Sequence, residues 1–172
     1  MTRIAFAGGV LFAVVQFSYY LLLEWHLSSA WTSYAAVAAA WLSGTVIGLA
    51  LRRTAAPVNL AAVNLAAFYC LWGTAILFPF DDRFLPLYMA AIALSGASVG
   101  FFFRWCFSRM GDARGLLFHE NNGFVLGWVL NFLGYSLYGY SYLLAAPAAA
   151  ALLFLAAVKF ASLASLRVGP KA

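Results

Sequence analysis

The sequence predicts an all-α fold: a bundle of six membrane-spanning helices with both termini on the cytoplasmic side. Three observations predict it. Of the 172 residues, 66% are hydrophobic and only 9% are charged, whereas a soluble domain carries about 25% charged residues. Polar side chains are too few to cover a water-soluble globule of this length. The apolar residues fall into six runs of about 20, the length that crosses ~30 Å of hydrocarbon. Finally, the ten Lys and Arg residues divide unequally between the two sides of a six-span arrangement.

The first span runs from Ile4 to Leu23 and stops at Glu24-Trp25-His26. Its apolar run is too long for a signal-peptide core, despite the small residues Ser28-Ser29-Ala30, so it is read as a retained span. The second runs from Ala30 to Leu51 and stops at Arg52-Arg53. Pro57 suits the first turn of a third helix, which reaches Phe78 before Pro79-Phe80-Asp81-Asp82-Arg83. The fourth lies between Leu85 and Phe103, and a polar segment from Arg104 to Arg114 separates it from a fifth span, Leu116 to Leu137. Tyr138-Gly139-Tyr140-Ser141 reads as the turn before the sixth, Tyr142 to Leu163, with Pro147 expected near its first turns. The whole chain is one transmembrane domain, residues 1–172.

Orientation follows from the basic residues. Arg3, Arg52, Arg53, Arg104, Arg109, Arg114, Lys159, Arg167 and Lys171 share one side, and only Arg83 takes the other. Cytoplasmic loops collect Lys and Arg, so both termini are expected inside a cell membrane of the bacterial inner-membrane type. The net charge of +5 then reflects topology and anionic headgroups, not nucleic acid, because no helix carries a basic stripe with interleaved aromatics. Aromatic residues suit the two interfaces: Tyr19, Tyr20, Trp25, Trp31, Tyr34, Tyr138, Tyr140 and Tyr142 toward the outer one, Trp105 and Phe107 toward the inner one.

Lipid gives helices no hydrophobic reason to associate, so small residues mark where backbones approach. Gly44 and Gly48, Gly96 and Gly100, and Gly123 and Gly127 form three such pairs, with Gly134 further along. They are expected to pack helices inside the chain, with partner subunits or a second copy as the other occupant. Gln16, Asn59, Asn64 and Asn131 read as polar bridges between helices.

Ionisable groups within spans are candidate sites by default. Glu24 and His26 close the first span. His119-Glu120-Asn121-Asn122 opens the fifth and is expected to meet Arg104, Arg109 or Arg114, or to line a solute or proton site. His26 and His119 fall at opposite faces, so one haem cannot bridge them. Cys70 and Cys106 are too far apart for a disulfide and lack metal-site spacing. No metal ligand set, phosphate loop or nucleophilic triad is present.

Several segments resemble the membrane region of fused, membrane-bound spermidine synthase-like proteins. These are Leu23-Glu24 with Leu27-Ser28-Ser29, Gly44-Thr45-Val46-Ile47-Gly48, Leu94-Ser95-Gly96 through Gly100-Phe101-Phe102, and Leu117-Phe118-His119-Glu120-Asn121-Asn122-Gly123 with Gly127. The sequence departs from that family where a proline commonly follows the fourth helix's glycines. The resemblance implies the membrane module alone, since the family's transferase chemistry belongs to a later soluble domain and this chain ends at Ala172. The expectation is therefore a non-enzymatic membrane subunit that packs with and anchors or stabilises a larger membrane complex. Two alternatives remain: a homodimeric small-solute or polyamine transporter using Glu24 and Glu120, and a haem- or pigment-associated subunit of an electron-transfer complex.

Overall fold

The computed structural model describes residues 1–27, 30–51 and 53–167; Arg52, Lys171 and the Ser28-Ser29 pair lie outside the described residues. The chain forms six α-helices: α1 (Thr2–Leu27), α2 (Ala30–Ala50), α3 (Pro57–Leu77), α4 (Leu85–Met110), α5 (Ala113–Tyr138) and α6 (Tyr140–Arg167). A single 3₁₀ turn, Asp82–Phe84, precedes α4, and no strand occurs among the described residues. Five of the helices are long and apolar enough to cross a membrane; α5 is the sixth.

Charged residues do not end the helices where the sequence suggests: α1 carries Glu24-Trp25-His26 and runs to Leu27, α6 runs past Leu163 to Arg167, and two connections differ further. The polar segment Arg104 to Arg114 is mostly helix, because α4 continues to Met110 and α5 already begins at Ala113. Charge ends a helix's stay in hydrocarbon; it does not end the helix. What ends α4 is Gly111, whose φ of 66° is left-handed and costs glycine little. Asp112 then caps α5, its side chain accepting a hydrogen bond from the Gly115 amide at 3.0 Å. Likewise Gly139, at φ 58°, is alone between α5 and α6. Pro147 therefore lies inside α6, in its third turn, where it denies the Leu143 carbonyl an N–H donor. The Tyr69 hydroxyl donates to the adjacent Leu144 carbonyl at 2.7 Å, so a neighbouring helix serves the disturbed stretch.

α1 is the central helix. It packs against all five others and is buried almost continuously from Ile4 to Leu23. Its most extensive contact is with α5, and the other extensive contact is α2 with α4. Both pairs run parallel. Gly123 meets Phe6, Gly127 meets Val10, and Asn131 reaches Val14, so four residues along one helix match four along the other. In the second pair Gly44 lies on Ala93 and Gly48 on Ala97, while Gly96 lies on Trp41 and Gly100 on Thr45. A side-chain carbon on Gly44, Gly48, Gly96 or Gly123 would collide with backbone of the facing helix. All three glycine pairs are thus occupied by crossings within the chain, and a partner must use another surface.

The same crossing explains why α5 is less apolar on average. Its buried stripe is Leu116, Glu120, Gly123, Gly127, Asn131 and Gly134, whereas Val125, Leu126, Val129, Phe132 and Leu133 face outward. The helix is small and polar where it meets protein and apolar where it does not. Since α5 keeps register with α1, any slab that α1 crosses α5 crosses too. The bundle has an arginine end, with Arg3, Arg53, Arg104, Arg109 and Arg114, and an acidic end, with Glu24, Asp81, Asp82 and a single Arg83.

Candidate functional site

Polar residues gather in three places: the arginine end, the middle of the bundle and the acidic end. At the arginine end, His119 to Asn122 fan around α5. Glu120 points into the α1 contact, 5% exposed, beside Gly9. His119 is half-buried with its ring 5.5 Å from that of Phe118. Asn121 and Asn122 are exposed on the outer face, and the Asn122 amide donates to the Phe118 carbonyl at 2.6 Å. Of the arginines expected to pair with this cluster, Arg114 forms no ion pair among the described residues and the two on α4 go elsewhere. Arg104 donates to the Leu49 carbonyl at 3.3 Å, and Arg109 to the Trp105 carbonyl at 3.2 Å, its guanidinium 4.2 Å over the Trp105 ring. The physical reason is direction: Glu120 faces α1, while these arginines project from α4 toward α2 or along α4 itself.

In the middle, four buried polar residues join three helices. The Tyr19 hydroxyl of α1 is 2.8 Å from Ser95 Oγ of α4. Ser98 Oγ donates to the Ser95 carbonyl at 2.6 Å and accepts from the Asn64 amide of α3 at 2.6 Å. Asn64 also donates to the Leu60 carbonyl at 2.8 Å, and its Oδ1 is buried without a partner. Asn131 donates to the Val14 carbonyl at 3.2 Å and faces Ser18 Oγ at 3.4 Å, bridging α5 to α1. Asn64 and Asn131 therefore bridge helices; Gln16 is half-buried and Asn59 is exposed. Tyr19, expected in an interfacial belt, is instead fully buried. Tyrosine spacing carries no signal separating it from Tyr20, which faces Glu24 one turn on.

At the acidic end, Glu24 and His26 are half-buried on either side of exposed Trp25, and no hydrogen bond or ion pair joins them. The His26 ring lies 6.4 Å from that of Tyr140, and its Nε2 is buried without a partner. Trp25 Nε1 donates to the Tyr135 hydroxyl, and Trp72 Nε1 to the Tyr140 hydroxyl at 2.7 Å, which ties α1, α3, α5 and α6 together here. The His26 carbonyl accepts from the Phe80 amide at 3.0 Å. Arg83 forms a salt bridge with Asp81 at 2.7 Å, the one ion pair among the described residues. Hydrogen bonding from that guanidinium holds the Asp81 carboxyl below the usual carboxylate range.

Glu24 and Glu120 belong to opposite ends, as do His26 and His119, so neither pair can share one ligand. Cys70 is exposed, Cys106 is buried, and both are free thiols. Among the described residues no three His, Cys, Asp or Glu side chains cluster as metal ligands would. A cavity of about 490 Å³ opens at the acidic end, between the end of α1, the start of α2 and the turn before α4. Nothing in the sequence pattern marks it, because segments distant in the chain form its walls. No family model, no curated protein and no solved structure matches the chain. Function is accordingly argued from these three groups of residues.

Proposed function

We propose that the chain is a non-catalytic subunit of a membrane protein complex, held to its partner through the outward face of α5. The observation that supports this is the exposed pair Asn121 and Asn122. Both lie level with the first apolar residues of α1, since Gly123 meets Phe6. Amides turned toward lipid lose hydrogen bonds that a neighbouring transmembrane helix can supply. The Asn121 side chain has no hydrogen bond within the described residues, and the apolar surface of Val125, Val129, Phe132 and Leu133 continues from it. A partner helix laid on this face would satisfy the amides and bury the rest. The arginine end faces the cytoplasm in this reading, by the rule that Lys and Arg collect on that side, and the membrane is of the inner-membrane type.

The test is purification in mild detergent. Wild-type protein is expected to carry a second membrane protein, while Asn121→Leu with Asn122→Leu releases it without changing helical content. A chain that runs as one copy in several mild detergents overturns the reading. A complex that survives both substitutions relocates the interface away from α5.

A further inference from the structure

The cavity at the acidic end has the chemistry of an amine site. Part of its wall is apolar: Leu23 and Leu27 from the last turns of α1, and Leu85 from the first turn of α4. Its volume of about 490 Å³ falls within the ~300–1,000 Å³ of small-molecule sites. Polar residues line it too: Thr32, Ser33 and Asp82. Ser33, 3% exposed, brings a hydroxyl to the cavity wall. Asp82 forms no ion pair, because Arg83, the one Lys or Arg at this end among the described residues, is taken by Asp81. Glu24, Asp81 and Asp82 against Arg83 leave this end at −2 (three negative, one positive), in a chain whose net charge is +5.

Phe80 closes the wall and supplies a further clue. It is 66% exposed and has a φ of 60°, the only non-glycine residue with positive φ among those described. Such a backbone costs roughly 1–3 kcal/mol and persists only where neighbours impose it. Here the bond from its amide to the His26 carbonyl imposes it. The result is an aromatic ring and an unpaired carboxylate on one cavity. An ammonium group is attracted by both, through the ring quadrupole and by charge.

We propose that this cavity binds an organic ammonium ion with a short apolar body. Asp82 and the Phe80 ring hold the charge, the three leucines hold the body, and the Ser33 hydroxyl accepts a hydrogen bond from the ammonium. A free amine and the ethanolamine headgroup of a phospholipid share this chemistry, and the site lies at the membrane surface where either can reach it.

The experiment titrates purified protein with phenethylammonium by calorimetry, in nanodiscs of phosphatidylcholine alone. Its neutral analogue 2-phenylethanol corrects for partitioning into lipid. Phenethylammonium is expected to bind at least tenfold tighter than 2-phenylethanol. Asp82→Asn should remove that preference, Ala36→Phe should remove binding by filling the cavity, and Asn59→Ala, exposed at the opposite end of the bundle, should leave the affinity unchanged. Equal binding of the two probes to wild type overturns the proposal without any variant, and so does wild-type affinity in Ala36→Phe. Nanodiscs containing phosphatidylethanolamine then assign the source: weaker apparent affinity means the lipid amine occupies the site, and unchanged affinity means a free amine does.

Discussion

The two parallel crossings share a spacing of small residues and differ in what accompanies it. Between α2 and α4, glycine faces backbone from both sides: Gly44 and Gly48 on one helix, Gly96 and Gly100 on the other. Thr45 adds hydrogen bonds to the Trp41 and Gly96 carbonyls, at 2.9 and 3.2 Å. Between α1 and α5, the stripe on α5 alternates glycine with Glu120 and Asn131, and Asn131 bonds across to α1. One contact is mainly a backbone clamp with a single side-chain hydrogen bond across it. The other buries a carboxyl and an amide along an equally close approach. Each crossing thus adds a hydrogen bond to close approach, through Thr45 in one and Asn131 in the other, and only the second buries a carboxyl.

The comparison breaks most directly at the clamp. Gly44→Val and Gly96→Val each drive a branched side chain into backbone carbonyls that cannot retreat. The loss expected is at or above about 3 kcal/mol, the top of the range for overpacking. It is measured as the midpoint of SDS denaturation followed by circular dichroism. If either variant is as stable as wild type, the α2–α4 pairing is wrong. Gly123→Ala asks the same of the second crossing with a smaller group, against the Phe6 carbonyl. About 1–3 kcal/mol should be lost, measured by the same SDS denaturation.

A glycine outside both crossings sharpens the argument by reversing its sign. Gly73 lies within α3, and a side-chain carbon there would meet nothing within 4 Å. Gly73→Ala should therefore raise stability by roughly 0.5–1 kcal/mol through reduced backbone entropy of the unfolded chain. If Gly73→Ala destabilises as much as Gly123→Ala, glycine matters here for flexibility and not for approach.

These cases also show how far the sequence could be read. Six helices were legible because apolar runs of about 20 residues admit little else. The ends of α4 and α5 were not, because Arg104, Arg109 and Arg114 mark water, whereas Gly111 and Asp112 mark the turn. Glycine spacing located thin faces at Gly44, Gly96 and Gly123, yet it could not say that α2 takes α4 and α1 takes α5. A thin face fits any backbone, and only the three-dimensional arrangement selects one. Gly9, which faces Glu120, escaped notice because its small neighbours are Ala5 and Ala13 and not a second glycine. The cavity escaped for a related reason: Ser33 and Asp82 are 49 residues apart and ordinary in type.

The smallest expected effect concerns the polar groups that no crossing needs. Tyr19 and Ser95 are both fully buried and bonded to each other at 2.8 Å, joining α1 to α4, which otherwise meet through the Phe12 and Phe102 rings. Hydrogen bonds between membrane helices contribute about 0.6 kcal/mol on average, because separated helices find other partners. A double-mutant cycle of Tyr19→Phe and Ser95→Ala should return a coupling of that order. Tyr19→Phe keeps the ring against Phe68, 5.6 Å away, so the cycle isolates the hydroxyl. A coupling near zero would mean that α1 is centred by shape alone. A coupling well above 1 kcal/mol would mean that Asn64 and Ser98, bonded in series behind Ser95, act with it as one unit. In that case Asn64→Leu should abolish the Tyr19–Ser95 coupling, which separates a cooperative network from an isolated bond.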